Sequence, residues 1–212
     1  MQTLSCTYND RVNEIHRKYF EIISPFIIQL EVLDGEFPIE ILNEIRAVFG
    51  HLSKAHLNNE ASIVEHNIEK ADSHIKRAIL DCYKYLCLAY DDKYKEFSNK
   101  YINVDLSVVG DGEFLPLLCQ KRNNAIQKLS NAKKLEISKT NENDLYNAYE
   151  DAYNAYADTY NYIEAFYEKL ERLKHKTDLR DISAKRWYLI GTIAGVTGAV
   201  AGIIGFIVGF FK

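Results

Sequence analysis

His74, Arg77 and Asp81, in the stretch KADSHIKRAILDCYKYL (70 to 86), stand at i, i+3 and i+7, so a helix carries all three on one side. A second group, Glu44, Arg46, His51 and His56, lies in the preceding apolar-periodic segment. If those two segments face each other as helices, these side chains form a polar network in which each charged or imidazole group finds a partner. Such a network fixes the register of two helices when every member is satisfied. The same residue types also suit a pocket for an anionic ligand such as a nucleotide signal, because two arginines beside several histidines provide the donors and charge that phosphate needs.

The elements that must position these groups follow from periodicity. Val12, Ile15, Tyr19, Ile22, Ile23, Phe26, Ile27 and Leu30 recur by threes and fours, predicting a first helix from Asp10 to about Leu33, bent or restarted near Pro25. LDGEFP (33 to 38) signals a turn, and Ile39 to His56 reads as a second helix. A third and longer helix runs from about Ile63 to Tyr101. The Gly-Asp-Gly and Pro of INVDLSVVGDGEFLP (102 to 116) mark a loop, and a fourth helix covers about Leu117 to Ser138. From Glu142 to His175 a seam of period 3.5 passes through Leu145, Tyr149, Ala152, Tyr156, Thr159, Ile163, Phe166, Leu170 and Leu173. One face of that segment must meet another helix. Beside the seam, Tyr146, Tyr153, Tyr160 and Tyr167 repeat every seven residues, an amphipathic ladder suited to the edge of a helix packing or to a docking surface.

Between Tyr188 and Phe211 no residue is charged. Such a run, as a helix, is about 36 Å long and predicts a transmembrane helix across a hydrocarbon core of about 30 Å. Trp187 and Tyr188 suit a membrane interface. Lys174, Lys176, Arg180, Lys185 and Arg186 precede the run against Lys212 after it, an asymmetry that places the N-terminal bulk in the cytosol and the C-terminus outside the plasma membrane. This pattern is that of a tail-anchored, single-pass protein. Gly191, Gly195, Gly198, Gly202, Gly205 and Gly209 are spaced by fours and threes, a groove for close helix contact that predicts self-association, a homo-oligomer in the lipid bilayer.

The expected fold class is therefore all-α: a cytosolic helical bundle (1–140), a long coiled-coil-like helix with a basic juxtamembrane segment (141–184) and one C-terminal transmembrane helix (185–212). A formal net charge of -4 excludes a nucleic-acid binder by bulk charge, and direct nucleic-acid binding is not expected. The N-terminus lacks the basic and then apolar run of a secretory signal. Cys6, Cys82, Cys87 and Cys119 have neither CxxC spacing nor a neighbouring histidine cluster, so no metal, disulfide scaffold or cofactor is expected. P-loop, Rossmann, GxSxG and HExxH motifs are absent.

Two resemblances add expectations. The Arg46-Ala-Val-Phe-Gly-His51 spacing resembles the R-x4-6-H motif of HEPN ribonucleases. That resemblance implies a dimer in which the arginine and histidine converge on a phosphodiester, the histidine in acid-base work and the arginine holding the phosphate; this chain departs from it in having Ala47 where a polar residue is common. EIRAVFGHLSKAH paired with EKADSHIKRAILDCYKYL, followed by a long helix and a terminal apolar run, is similar to uncharacterised tail-anchored helical proteins of prokaryotes that accompany anti-phage defence systems. That layout implies a non-enzymatic effector whose cytosolic domain senses a protein partner or nucleotide signal and acts at the membrane. The alternatives are a passive membrane tether or scaffold and a membrane-bound HEPN-like ribonuclease.

Overall fold

The computed structural model describes the backbone of residues 2–138 and 141–210 and the side chains of residues 8–138 and 141–192. Among the described residues the chain is all-helical. Its elements are α1 (Gln2–Lys18), a π-helical turn (Tyr19–Ile23), α2 (Ser24–Asp34), α3 (Ile39–Leu57), α4 (Ala61–Lys100), a 3-10 segment (Leu106–Gly112), α5 (Phe114–Ile137), α6 (Glu142–Ala165) and α7 (Tyr167–Phe210). The backbone divides into two compact units, one of residues 1–100 and 115–165, the other of residues 101–114 and 166–212.

The first unit is organised around α4. Ile41, Val48 and Ala55 of α3 are buried seven residues apart, as are Ile68, Ile75 and Cys82 of α4, with Ala71 and Ala78 beside them. A seven-residue repeat on both members lets the two helices of this hairpin stay in register along their length, and the alanines let their axes approach. The opposite side of α4 takes α6, whose buried Tyr149, Ala152, Ala155, Tyr156, Thr159 and Ile163 carry the 3.5-period seam. Of the tyrosine row beside that seam, Tyr146, Tyr153 and Tyr160 are half-buried against other rings, whereas Tyr167 is 46% exposed. Tyr146 meets Tyr83, Tyr153 meets Phe26, Tyr83 and Tyr90, and Tyr160 meets Tyr90, with ring centroids 5.2 to 6.3 Å apart. Gln29 of α2 bonds the hydroxyls of both Tyr90 and Tyr153. Burial pushes the Tyr90 phenol up to about 12 and, as the leading cause, raises those of Tyr146, Tyr153 and Tyr160. Cys82 and Cys87 are free and buried, and burial raises each thiol to about 12. Burial thus disfavours the thiolate form that a nucleophile requires.

α1 and α2 form one rod that changes phase at Pro25. Proline has no N–H for the carbonyl of Glu21, and its ring crowds that carbonyl, so a regular turn cannot be continued there. The chain widens instead: the N–H of Ser24 bonds the carbonyl of Tyr19, an i to i+5 link. This decides which side chains face α4. Ile15 and Ile23, eight residues apart, are both buried (2% and 0% exposed) although an unbroken α-helix would set them about 80° apart. Tyr19, which falls on the regular seam, is 40% exposed. Gly35, with φ of +72°, ends α2 in a left-handed cap whose N–H bonds Glu31 O at 2.9 Å.

The second unit is small. Phe114 and Leu170 are fully buried or nearly so, and the rings of Phe114 and Phe166 stand 4.9 Å apart. Gly110 takes φ of +60° beneath Phe166, where an added Cβ would lie 3.2 Å from Cε1. Phe166 is also where the heptad segment expected to be continuous over 142–175 breaks into α6 and α7.

The expected transmembrane helix over 185–212 is corrected by the structure. Among the described residues no helix is long and apolar enough to cross a membrane. The apolar run continues α7, a helix that is densely charged from Glu168 to Arg186, and its side chains are described as far as Thr192. Of the glycine groove, Gly191 is exposed, and an added Cβ there meets nothing within 4 Å. The surroundings of Gly195, Gly198, Gly202, Gly205 and Gly209 lie outside the described residues.

Leu86, at 0% exposure in the centre of α4, reports on the whole first unit. Leu86→Ala is expected to lower the unfolding free energy by about 2 to 5 kcal/mol, measured by urea titration of the helical circular dichroism, with the helical signal of the folded baseline retained.

Candidate functional site

The polar groups singled out in the sequence separate into three places. At the α3–α4 contact, His74 Nδ1 lies 2.6 Å from Glu44 Oε2, and the His74 and His51 rings stack with centroids 5.3 Å apart and planes 18° from parallel. His51 Nδ1 lies 2.9 Å from Asn67 Oδ1, and the Asn67 amide in turn donates to Ile63 O at 2.8 Å. Asn67 is one of the few buried polar side chains and completes the network, yet nothing in its local sequence marks it. A single asparagine on a helix becomes informative only when a partner helix is known.

Arg46 does not join this network. Five residues on a helix amount to about 140° of rotation, so when His51 turns toward α4 Arg46 is directed away, and it is exposed. Within one chain, therefore, the two side chains do not converge on a common point. Among the described residues Asp81 pairs with Lys84 rather than with His74 or Arg77. It faces Lys84 at 3.7 Å, and burial, then the nearby carboxylates of Glu44, Glu136 and Glu40, hold its carboxyl above the ordinary range against the pull of Lys84. Lys84 also bonds Glu136 at 2.6 Å, which accepts from the Tyr149 hydroxyl at 2.5 Å. These links tie α4 to α5 and α6.

Arg77 lies at a different place, the rim of a pocket of about 430 Å³ where α1, α4 and α6 meet. Ile22, Ile79, Leu80, Leu145 and Tyr146 supply its apolar wall, while Ser73, Asn143 and Glu142 add polar groups. Lys18 and Lys76 complete the rim, both bound to one carboxylate: Asp72 Oδ1 accepts from Lys18 Nζ at 2.8 Å and Asp72 Oδ2 from Lys76 Nζ at 3.0 Å. Burial raises the Asp72 carboxyl, but the hydrogen bonds and charges of the two lysines outweigh it, and the net effect is a lowered value. No ion pair engages Arg77 among the described residues. The π-helical turn borders this pocket directly, with Lys18 just before it and Ile22 inside it. π-turns widen a helix at functional sites more often than elsewhere.

Sequence reading offered Arg77 to an anion pocket between the second and third helices, whereas the pocket it lines is formed by α1, α4 and α6. The i, i+4 pair of Asp72 and Lys76 was legible within KADSHIKR, whereas Lys18 is 54 residues from Asp72 and arrives only through the packing of α1 on α4.

Two outcomes test this arrangement. Asn67→Ala and His51→Ala are each expected to lower the unfolding free energy by about 1 to 3 kcal/mol, since either change strands a partly buried polar partner; chemical denaturation at neutral pH measures it. For Asp72 the sign follows from its lowered folded value. Its contribution is fully present above the unfolded carboxylate range of about 3.9 and is lost as pH falls through the lower folded value. The stability difference between the wild type and Asp72→Asn should therefore hold steady from pH 7 to 5 and shrink toward zero below about pH 4, followed by denaturation across that range. No protein-family model, curated protein or solved structure matches the chain, so what the pocket does rests on these side chains alone.

Proposed function

We propose that the chain is a non-enzymatic, ligand-sensing helical protein and that its ligand, a small organic anion of the nucleotide class, binds in the α1–α4–α6 pocket. The observation that carries the reading is Arg77: an exposed, unengaged guanidinium at the mouth of an apolar cavity whose rim holds two further cations. The volume of about 430 Å³ falls in the range of small-molecule sites. An apolar wall with Tyr146 accepts the flat face of a base, Ser73 and Asn143 offer hydrogen bonds to its edge, and the planar fork of Arg77 pairs two phosphate oxygens at once. The alternative of a ribonuclease site draws less support, because His51 is engaged with Asn67 and His74 while Arg46 points elsewhere.

Adenosine monophosphate tests the reading, with adenosine and inorganic phosphate as its two halves. Calorimetric titration of the full chain is expected to show binding of the monophosphate, weaker binding of each half, and a rise of melting temperature that grows with the logarithm of ligand concentration. Arg77→Glu should weaken binding at least about tenfold, with melting of the free protein unchanged because Arg77 holds no ion-pair partner among the described residues. Absence of binding at millimolar monophosphate, or equal binding by Arg77→Glu, overturns the reading.

A further inference from the structure

We infer that Asp72 is an internal counter-ion that competes with the ligand's anionic group for two lysines of the pocket. The inference rests on the pocket reading above and adds how that pocket is regulated. A single carboxylate here spans two helices: one oxygen takes Lys18 of α1 and the other takes Lys76 of α4. Both lysines line the pocket, and so does Arg77, one residue beyond Lys76. The lining thus holds three cations and one carboxylate, Glu142, and two of the three cations are already engaged by Asp72, which stands beside the lining rather than in it.

The chemistry of the clamp matches what a ligand phosphate would do. A carboxylate with one oxygen on each of two cations has the same bridging pattern as two oxygens of a phosphate. Each ammonium carries three donors, of which Asp72 accepts from one, so an incoming anion either shares both lysines or displaces the carboxylate. In both cases it meets the fixed negative charge of Asp72 at close range. Empty, the clamp keeps Lys18 and Lys76 from repelling each other across the α1–α4 contact. Occupied, it opposes the ligand. The affinity of the pocket is therefore set by competition within the protein as well as by the contacts the ligand makes.

Removing the charge separates this from a role in which Asp72 merely holds the lysines in place for the ligand. Asp72→Asn is nearly isosteric and, by calorimetric titration of the full chain at neutral pH, is expected to bind adenosine monophosphate about tenfold more tightly than the wild type. The 5′-methyl ester of the monophosphate, with one negative charge where the parent has two, should gain only about threefold, because the lost repulsion scales with ligand charge. Asp72→Glu keeps the charge and should stay within about twofold of wild type. Tighter binding by Asp72→Asn with the larger gain for the dianion supports the internal counter-ion. Weaker or equal binding by Asp72→Asn, in a wild-type protein that binds, overturns the inference and leaves the pocket standing. Absence of binding by both proteins overturns the pocket and the inference together.

Discussion

The first unit depends on one constraint, that α4 is apolar on more than one side and must be covered by helices from distant parts of the chain. Ile68, Ile75, Cys82 and Leu86 are buried along it, α3 packs on it, and Tyr83 and Tyr90 meet rings of α2 and α6. A helix covered on several sides cannot slide along any one neighbour without disturbing the others. Everything polar in the unit is placed by that restriction. The His51, His74 and Glu44 contact exists because α3 is locked against α4, and the Asp72 clamp exists because α1 is brought to the same helix from the other direction.

The two kinds of polar contact differ in what they ask of the surrounding packing. Arg122 illustrates the first. It bonds Asp91 and lies over the rings of Tyr94 and Tyr156, 4.6 and 5.3 Å from their centroids, so its charge is directed into the protein, although its Nη1 is buried without a hydrogen-bond partner among the described residues. Such a residue fastens α5 to α4 and α6. Arg77 is the second kind. Its neighbours on α4, Ala78 and Ile79, are buried, so its backbone is fixed while its head group stays in solvent. Fixed backbone with an unspent charge is the combination that a recognition site requires.

Much of the helical framework was legible, for a physical reason that particular residues make plain. Tyr149, Ala152, Tyr156, Thr159 and Ile163 are buried because a 3.5-residue repeat has only one stripe that a partner helix can cover. The break at Phe166 was not legible, since Phe166, Leu170 and Leu173 continue the same repeat across it. There the ring closes on Phe114 and over Gly110 in the second unit, and no periodicity records such contacts. The apolar C-terminal run misled for another reason. Composition registers how apolar a stretch is, whereas the charged residues from Glu168 to Arg186 belong to the same helix as its beginning. Of the site, the residue types were visible in KADSHIKR, but not which of them would spend their charge on each other. His74 and Asp81 share a helical side with Arg77, yet the first turned to Glu44 and the second to Lys84.

The widened turn at Tyr19–Ile23 works as a vernier between two helical scales. On the α1 side the residues that meet the core are counted from Ile15, on the α2 side from Ile23, and the extra residue absorbed between them is what makes both counts agree with α4. A chain that lost one residue there would keep the same apolar composition and the same helical propensity, yet every side chain before the turn would rotate by about 100°. Ile15 would leave the core and Lys18 would leave Asp72. A pocket wall and a rim cation are thus set by the length of the segment rather than by the identity of any residue in it.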